Sequence, residues 1–168
     1  MSKEIVNRVQ KSGIVTIDFD DFVIPNIYKI DLKDWLVDDF FLVEKNFREA
    51  INQHNWITYS NSYVCIFCSN EAIIPQWAYM LLSSKISEVT NKVIVGKSDQ
   101  LYEKIYHDHI ENLNLDDYKN KPVVVKGCSS NKVPKTAYYL ITSKLKDVAK
   151  SIMYGEACSA VPVYKKPK

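Results

Sequence analysis

Tyr59-Ser-Asn61-Ser-Tyr-Val64-Cys-Ile-Phe-Cys68-Ser69 returns later in the chain as Tyr118-Lys-Asn120-Lys-Pro-Val123-Val-Val-Lys-Gly-Cys128-Ser129. The two copies stand 59 residues apart, with a one-residue slip at the shared Cys-Ser. In each, a polar Tyr/Asn turn leads into a β-branched apolar run, which predicts a strand covered on both faces. The likeness extends outward. Leu42, Glu44, Lys45, Ile51 and Asn55 recur as Leu101, Glu103, Lys104, Ile110 and Asn114. After the slip, Pro75, Ala78, Tyr79, Leu81 and Gly96 recur as Pro134, Ala137, Tyr138, Leu140 and Gly155. A repeat of this size is one supersecondary unit used twice.

Each copy reads alike. Residues 44–53 and 103–112 have helical spacing, with Phe47 and Ile51, or Tyr106 and Ile110, four apart on one face. Beyond the strand, Pro75 or Pro134 suits the first turn of a helix that ends near Lys92 or Lys150. Short strands, Val93–Val95 and Ile152–Tyr154, close the units. This pattern predicts an α/β protein: a single domain, 1–168, of two duplicated helix-strand-helix-strand units (42–97 and 101–156) around one mostly parallel sheet. Residues 1–40 form an N-terminal β extension at its edge, with strands at 13–19 and 28–31 and Asp31 capping a short turn. Residues 157–168 are a C-terminal tail.

A chain of 168 residues, 46% hydrophobic, is long enough for one core. The net charge of +2 comes from scattered basic residues, and Lys165, Lys166 and Lys168 read as a solvated tail, so no nucleic-acid partner is expected. No window holds the roughly 18 apolar residues of a membrane span, and Met1–Gln10 lacks a signal core. The expected location is the cytoplasm, away from membranes, where the four cysteines would be reduced, catalytic or metal-bound rather than paired. With only four glycines there is no GxGxxG or Walker loop, and no HExxH, EF-hand or Ser-His-Asp set is recognisable.

Chemistry gathers on three Cys-Ser segments, Cys68-Ser69, Cys128-Ser129 and Cys158-Ser159, each followed within seven residues by a proline. All three follow predicted strands, where sites of α/β sheets collect, so on one sheet their thiols would converge. Cys65 is different. It aligns with Val124 inside the strand and faces away from Cys68, so it reads as a small core residue.

For the three loop cysteines several readings stay open. They are buried thiols in tight loops whose serines cap helices; or zinc or iron–sulfur ligands, a role thiolates at helix N-termini suit; or one is a nucleophile or sulfur carrier. Candidate fourth ligands are His107, His109 and Glu156. The histidines stand two apart on a helix and point to different faces, so they cannot both serve one ion undistorted; ordinary surface roles are the plainer expectation for all three. Strand alternation would put Asp18 and Asp20 on one face, the pattern of a half-buried edge strand. Core packing is the plain reading of Tyr79 and Tyr138.

Several segments together carry a resemblance: Glu4-Ile-Val-Asn7, Leu32-Lys-Asp-Trp35-Leu, Ile74-Pro-Gln-Trp77-Ala-Tyr-Met-Leu81, Val125-Lys-Gly-Cys128 and Lys150-Ser-Ile-Met-Tyr-Gly-Glu156. Over nearly its whole length the chain resembles a bacterial family known only as a domain of unknown function, number 2480. The resemblance implies cysteines at the positions of Cys68, Cys128 and Cys158 but not at that of Cys65. It supplies no activity. It implies genes near those for iron–sulfur assembly, and hence assembly proteins as partners. The leading expectation is a metal- or iron–sulfur-binding accessory protein using the three loop cysteines. The alternatives are a small thiol-dependent enzyme or sulfur carrier, and a pseudo-symmetric interaction module without chemistry, expected as a homodimer.

Overall fold

The computed structural model describes residues 13–70, 72–127, 133–156 and 159–167. The chain folds into two compact units. One is continuous, Ile24–Lys104; the other joins the residues up to Val23 with those from Ile105 onward.

The continuous unit holds strands β1's sequel in chain order: β2 (Ile27–Asp31), helix α1 (Glu44–Gln53), β3 (Tyr63–Phe67), α2 (Gln76–Ile86) and β4 (Val93–Val95). Its sheet is three-stranded and parallel, in the order β2-β3-β4. The apolar spacing foreseen for α1 buries Phe47 and Ile51 fully, and α2 adds Ala78, Leu82 and Ile86 against Ile30, Val64 and Ile66 of the sheet. An aromatic cluster of Trp35, His54, Trp56 and Tyr59 closes one side of this core.

The second unit begins with β1 (Val15–Asp18) and resumes in helix α3 (Ser98–Glu111), whose residues up to Lys104 belong to the first unit. Then come β5 (Pro122–Lys126), α4 (Lys135–Lys146), β6 (Ser151–Tyr154) and β7 (Val161–Lys165). The sheet order is β1-β5-β6-β7, parallel except for the antiparallel β7. Ala137, Ile141 and Leu145 of α4 occupy the places that Ala78, Leu82 and Ile86 hold in the other unit, and Tyr106 and Ile110 match Phe47 and Ile51. Each fully buried Leu or Ile among these contributes about 1.5–3 kcal/mol.

The equivalence extends to the backbone. Asn61 and Asn120 both sit in the left-handed region, at φ 57° and 55°. Their amides donate to the carbonyls of Val89 and Val148, at 3.3 and 2.9 Å. Gly96 and Gly155 donate to Ile66 and Val125, at 2.9 and 3.0 Å.

The mixed α/β class with mostly parallel strands is as the sequence predicts, but the strands form two sheets rather than one. The N-terminal pair does take edge positions, but on different sheets. β1 pairs with β5 (Ile17 beside Val125) and β2 with β3 (Ile30 beside Ile66), so each unit receives one of them. The expected tail is in part a strand: β7 pairs with β6 over Ser151–Lys165 and Tyr154–Val161. The long helices stop short of Lys92 and Lys150, at Ile86 and Lys146, and short turns lead from there into the last strands. Among the described residues no helix is long and apolar enough to cross a membrane.

Candidate functional site

Parallel strands direct their carboxyl ends toward one rim of a sheet, and loops leaving that rim are the ordinary place for chemistry. Each unit has such a rim, and the two are built differently.

In the continuous unit the rim is organised by Asp31, the last residue of β2. One carboxylate oxygen accepts the amides of Lys33 and Ser69, both at 3.0 Å. Burial pushes the Asp31 pKa up, but the hydrogen bonds from Ser69 and Lys33 outweigh it and hold the carboxyl below its ordinary value. Ser69 does not cap α2, whose N-cap position is Pro75, with no side-chain cap. Next to it, the half-buried Cys68 thiol donates to Asn70 Oδ1 at 2.8 Å. The same oxygen accepts the Ala72 amide at 3.3 Å, and the Asn70 amide donates to the Asp39 carbonyl. Cys68 is thus fixed within a hydrogen-bonded loop. Cys65 is fully buried and donates to the Gly96 carbonyl at 3.2 Å, with burial pushing its thiol pKa up. That is the core role expected of it.

In the second unit the rim is an ion-pair cluster. Lys126, ending β5, lies 3.0 Å from Asp18 and 3.8 Å from Glu156. The hydrogen bond to Lys126 lowers the Asp18 pKa against a smaller opposing effect of burial, and the same bond raises that of Lys126. Asp18 also accepts the Asp20 amide at 3.0 Å. The expected shared strand face of Asp18 and Asp20 does not form, because β1 stops at Asp18 and Phe19–Asp21 turn into a 3-10 helix. Tyr138 donates its hydroxyl to the Gly127 carbonyl at 2.7 Å.

The candidate ligands separate accordingly. His109 holds the Ile105 carbonyl through Nδ1 at 2.9 Å and stacks on Phe22, with ring centroids 5.2 Å apart. His107 is exposed, 3.5 Å from the Asp108 carboxylate. Glu156 faces Lys126, and the Ser159 amide donates to its carbonyl at 2.8 Å. Cys128, Ser129 and Cys158 lie outside the described residues. Among the described residues no group of three His, Cys, Asp or Glu side chains is placed to hold a metal ion.

Sequence reasoning missed Lys126, the centre of the charged rim. Its signal was available: a lysine closes the apolar run of β5 where Phe67 closes the equivalent β3.

The model of one family, described as a protein of unknown function (DUF2480), matches residues 3–166. No curated protein and no solved structure matches the chain.

Proposed function

For this chain, which belongs to that family of unknown function, we propose a metal- or iron–sulfur-binding accessory role carried by the loop cysteines. The observation that supports it is the pairing of β5 with β6. These strands are parallel neighbours, with Val125 opposite Tyr154. The segments carrying Cys128 and Cys158 therefore start from the same end of the same sheet. Each starts just past a glycine in the left-handed half of φ space, Gly127 at 143° and Gly155 at 114°. Thiolates are the ligands that soft metals and iron–sulfur clusters take. Cys68 stands at the matching point of the other unit, on the other sheet, where its thiol donates to Asn70.

The test is metal and acid-labile sulfide content, with the visible spectrum, of protein purified without oxygen. Iron with sulfide, or zinc, is expected in the wild type and absent from Cys128→Ala and Cys158→Ala. Cys68→Ala should retain the metal. A wild type without metal or sulfide would overturn the proposal.

A further inference from the structure

The two rims differ in charge although their backbones match, and the rim of the continuous unit borders a cavity. In the second unit Lys126 is neutralised by Asp18 and Glu156. In the continuous unit Phe67 stands where Lys126 would, and Lys97 where Glu156 would. A cavity of about 520 Å³ lies at the ends of β3 and β4, bordered by Cys68 and the start of α3. Its charged lining consists of Lys29 and Lys97 alone, and no carboxylate lines it. Among the described residues neither lysine takes part in an ion pair. Ile66, Phe67 and Val95 give it apolar walls, and Tyr79 and Asn70 add polar groups.

From this we infer that the cavity is a binding site for a small organic anion, a carboxylate or phosphate ester with an apolar body. Lys29 and Lys97 take the charged group, and the Phe67 side takes the body. The volume lies within the range of about 300–1,000 Å³ usual for small-molecule sites, and mostly apolar walls with a few convergent polar groups are their usual makeup. Position agrees with charge. The anion would sit at the carboxyl ends of parallel strands, with the first amides of the 14-residue α3 at its border. The other rim, its lysine already matched by carboxylates, offers no such charge. The inference is independent of what Cys128 and Cys158 bind.

The test is calorimetric titration of the full chain with phenyl phosphate and benzoate, and with benzyl alcohol as their neutral counterpart. Both anions are expected to bind about tenfold more tightly than the alcohol, the size of a charge-assisted hydrogen bond. In Lys29→Gln/Lys97→Gln the anions should fall to the level of the alcohol, with the melting temperature unchanged because both side chains are exposed. Lys45→Gln/Lys85→Gln, which do not line the cavity, should leave binding as it was. Equal binding of anions and alcohol, unchanged affinity in the first double variant, or no binding by any probe would each overturn the assignment. Inorganic phosphate binding as tightly as phenyl phosphate would overturn the apolar-body half of it.

Discussion

Asp18 and Asp31 end equivalent strands in different sheets, and each turns its carboxylate onto the amide two residues ahead, Asp20 or Lys33, at 3.0 Å. Behind them Phe19 and Leu32 are both fully buried. The carboxylates start the 3-10 turns that lead the chain off each sheet, and the partners beyond them differ: Lys126 for Asp18, Ser69 for Asp31.

Replacing Asp18 with Ala should cost about 1–2 kcal/mol, the size of a lost cap. The acid response follows from the pKa. The folded Asp18 carboxyl lies below its ordinary 3.8, so its stabilisation is complete above that value and is lost as pH falls through the lower folded one. Thermal melts from pH 7 to pH 2 should show wild type losing more stability than Asp18→Asn. Parallel curves would show that the Lys126 pair adds nothing.

Asn61 and Asn120 hold left-handed backbone, which glycine adopts without strain and β-branched residues resist. Asn120→Gly should leave stability within about 0.5 kcal/mol, and Asn120→Val should cost about 1–2 kcal/mol. The same pair of changes at Asn61 should match. Urea denaturation of the four variants measures it.

A Cβ on Gly127 would come within 2.7 Å of Phe19 Cβ, whereas at Gly155 the nearest atom is 3.7 Å away. Gly127→Ala should therefore cost about 2–4 kcal/mol, combining overpacking with backbone strain. Gly155→Ala carries the strain alone and should cost less. Equal losses in the melting temperature would contradict the packing described for Phe19.

His54 lies within the aromatic cluster, its Nε2 2.7 Å from the Tyr59 hydroxyl, and burial lowers its pKa from the ordinary 6.5. Below pH 6.5 the unfolded chain takes up the proton first, so stability falls as pH drops from 6.5 toward the folded value. The imidazole C2 proton should titrate below 6.5 by NMR, and His54→Phe should flatten the melting-temperature slope between about pH 6.5 and 5.

Cys65 should resist alkylation at neutral pH in the folded protein, because it is 1% exposed and burial keeps it a thiol. Cys65→Val, the residue of the equivalent strand position, should cost less than about 1.5 kcal/mol as a near volume-conserving change. Peptide mapping after iodoacetamide labelling checks the first expectation, and denaturation the second.

Local structure was legible because local chemistry repeats. Asn61 and Asn120 announced their turns, the β-branched runs their strands, and Phe47/Ile51 with Tyr106/Ile110 their helix faces. The allotment of strands to sheets was not, because β1 finds its partner in β5 across most of the chain. A clue lay in Ile17-Asp18-Phe19 and Ile30-Asp31-Leu32, a short repeat inside the N-terminal forty residues that supplies one strand to each unit. β7 was hidden by Pro162, which suits only an edge, and by side chains of which all but Tyr164 are exposed. The charged rim at Lys126 depends on that same long-range pairing, and periodicity within a window carries no trace of it.

Translation gives the β1–β5 pairing a further meaning. The Ile24–Lys104 unit is contiguous and has all its strands as soon as that length has left the ribosome. β1 emerges earlier still, yet its hydrogen-bonding partner is not made until Val123 and its neighbours appear. During that interval Val15–Asp18 has no strand to pair with, and Ile17 and Phe19 lack the core that buries them in the finished fold.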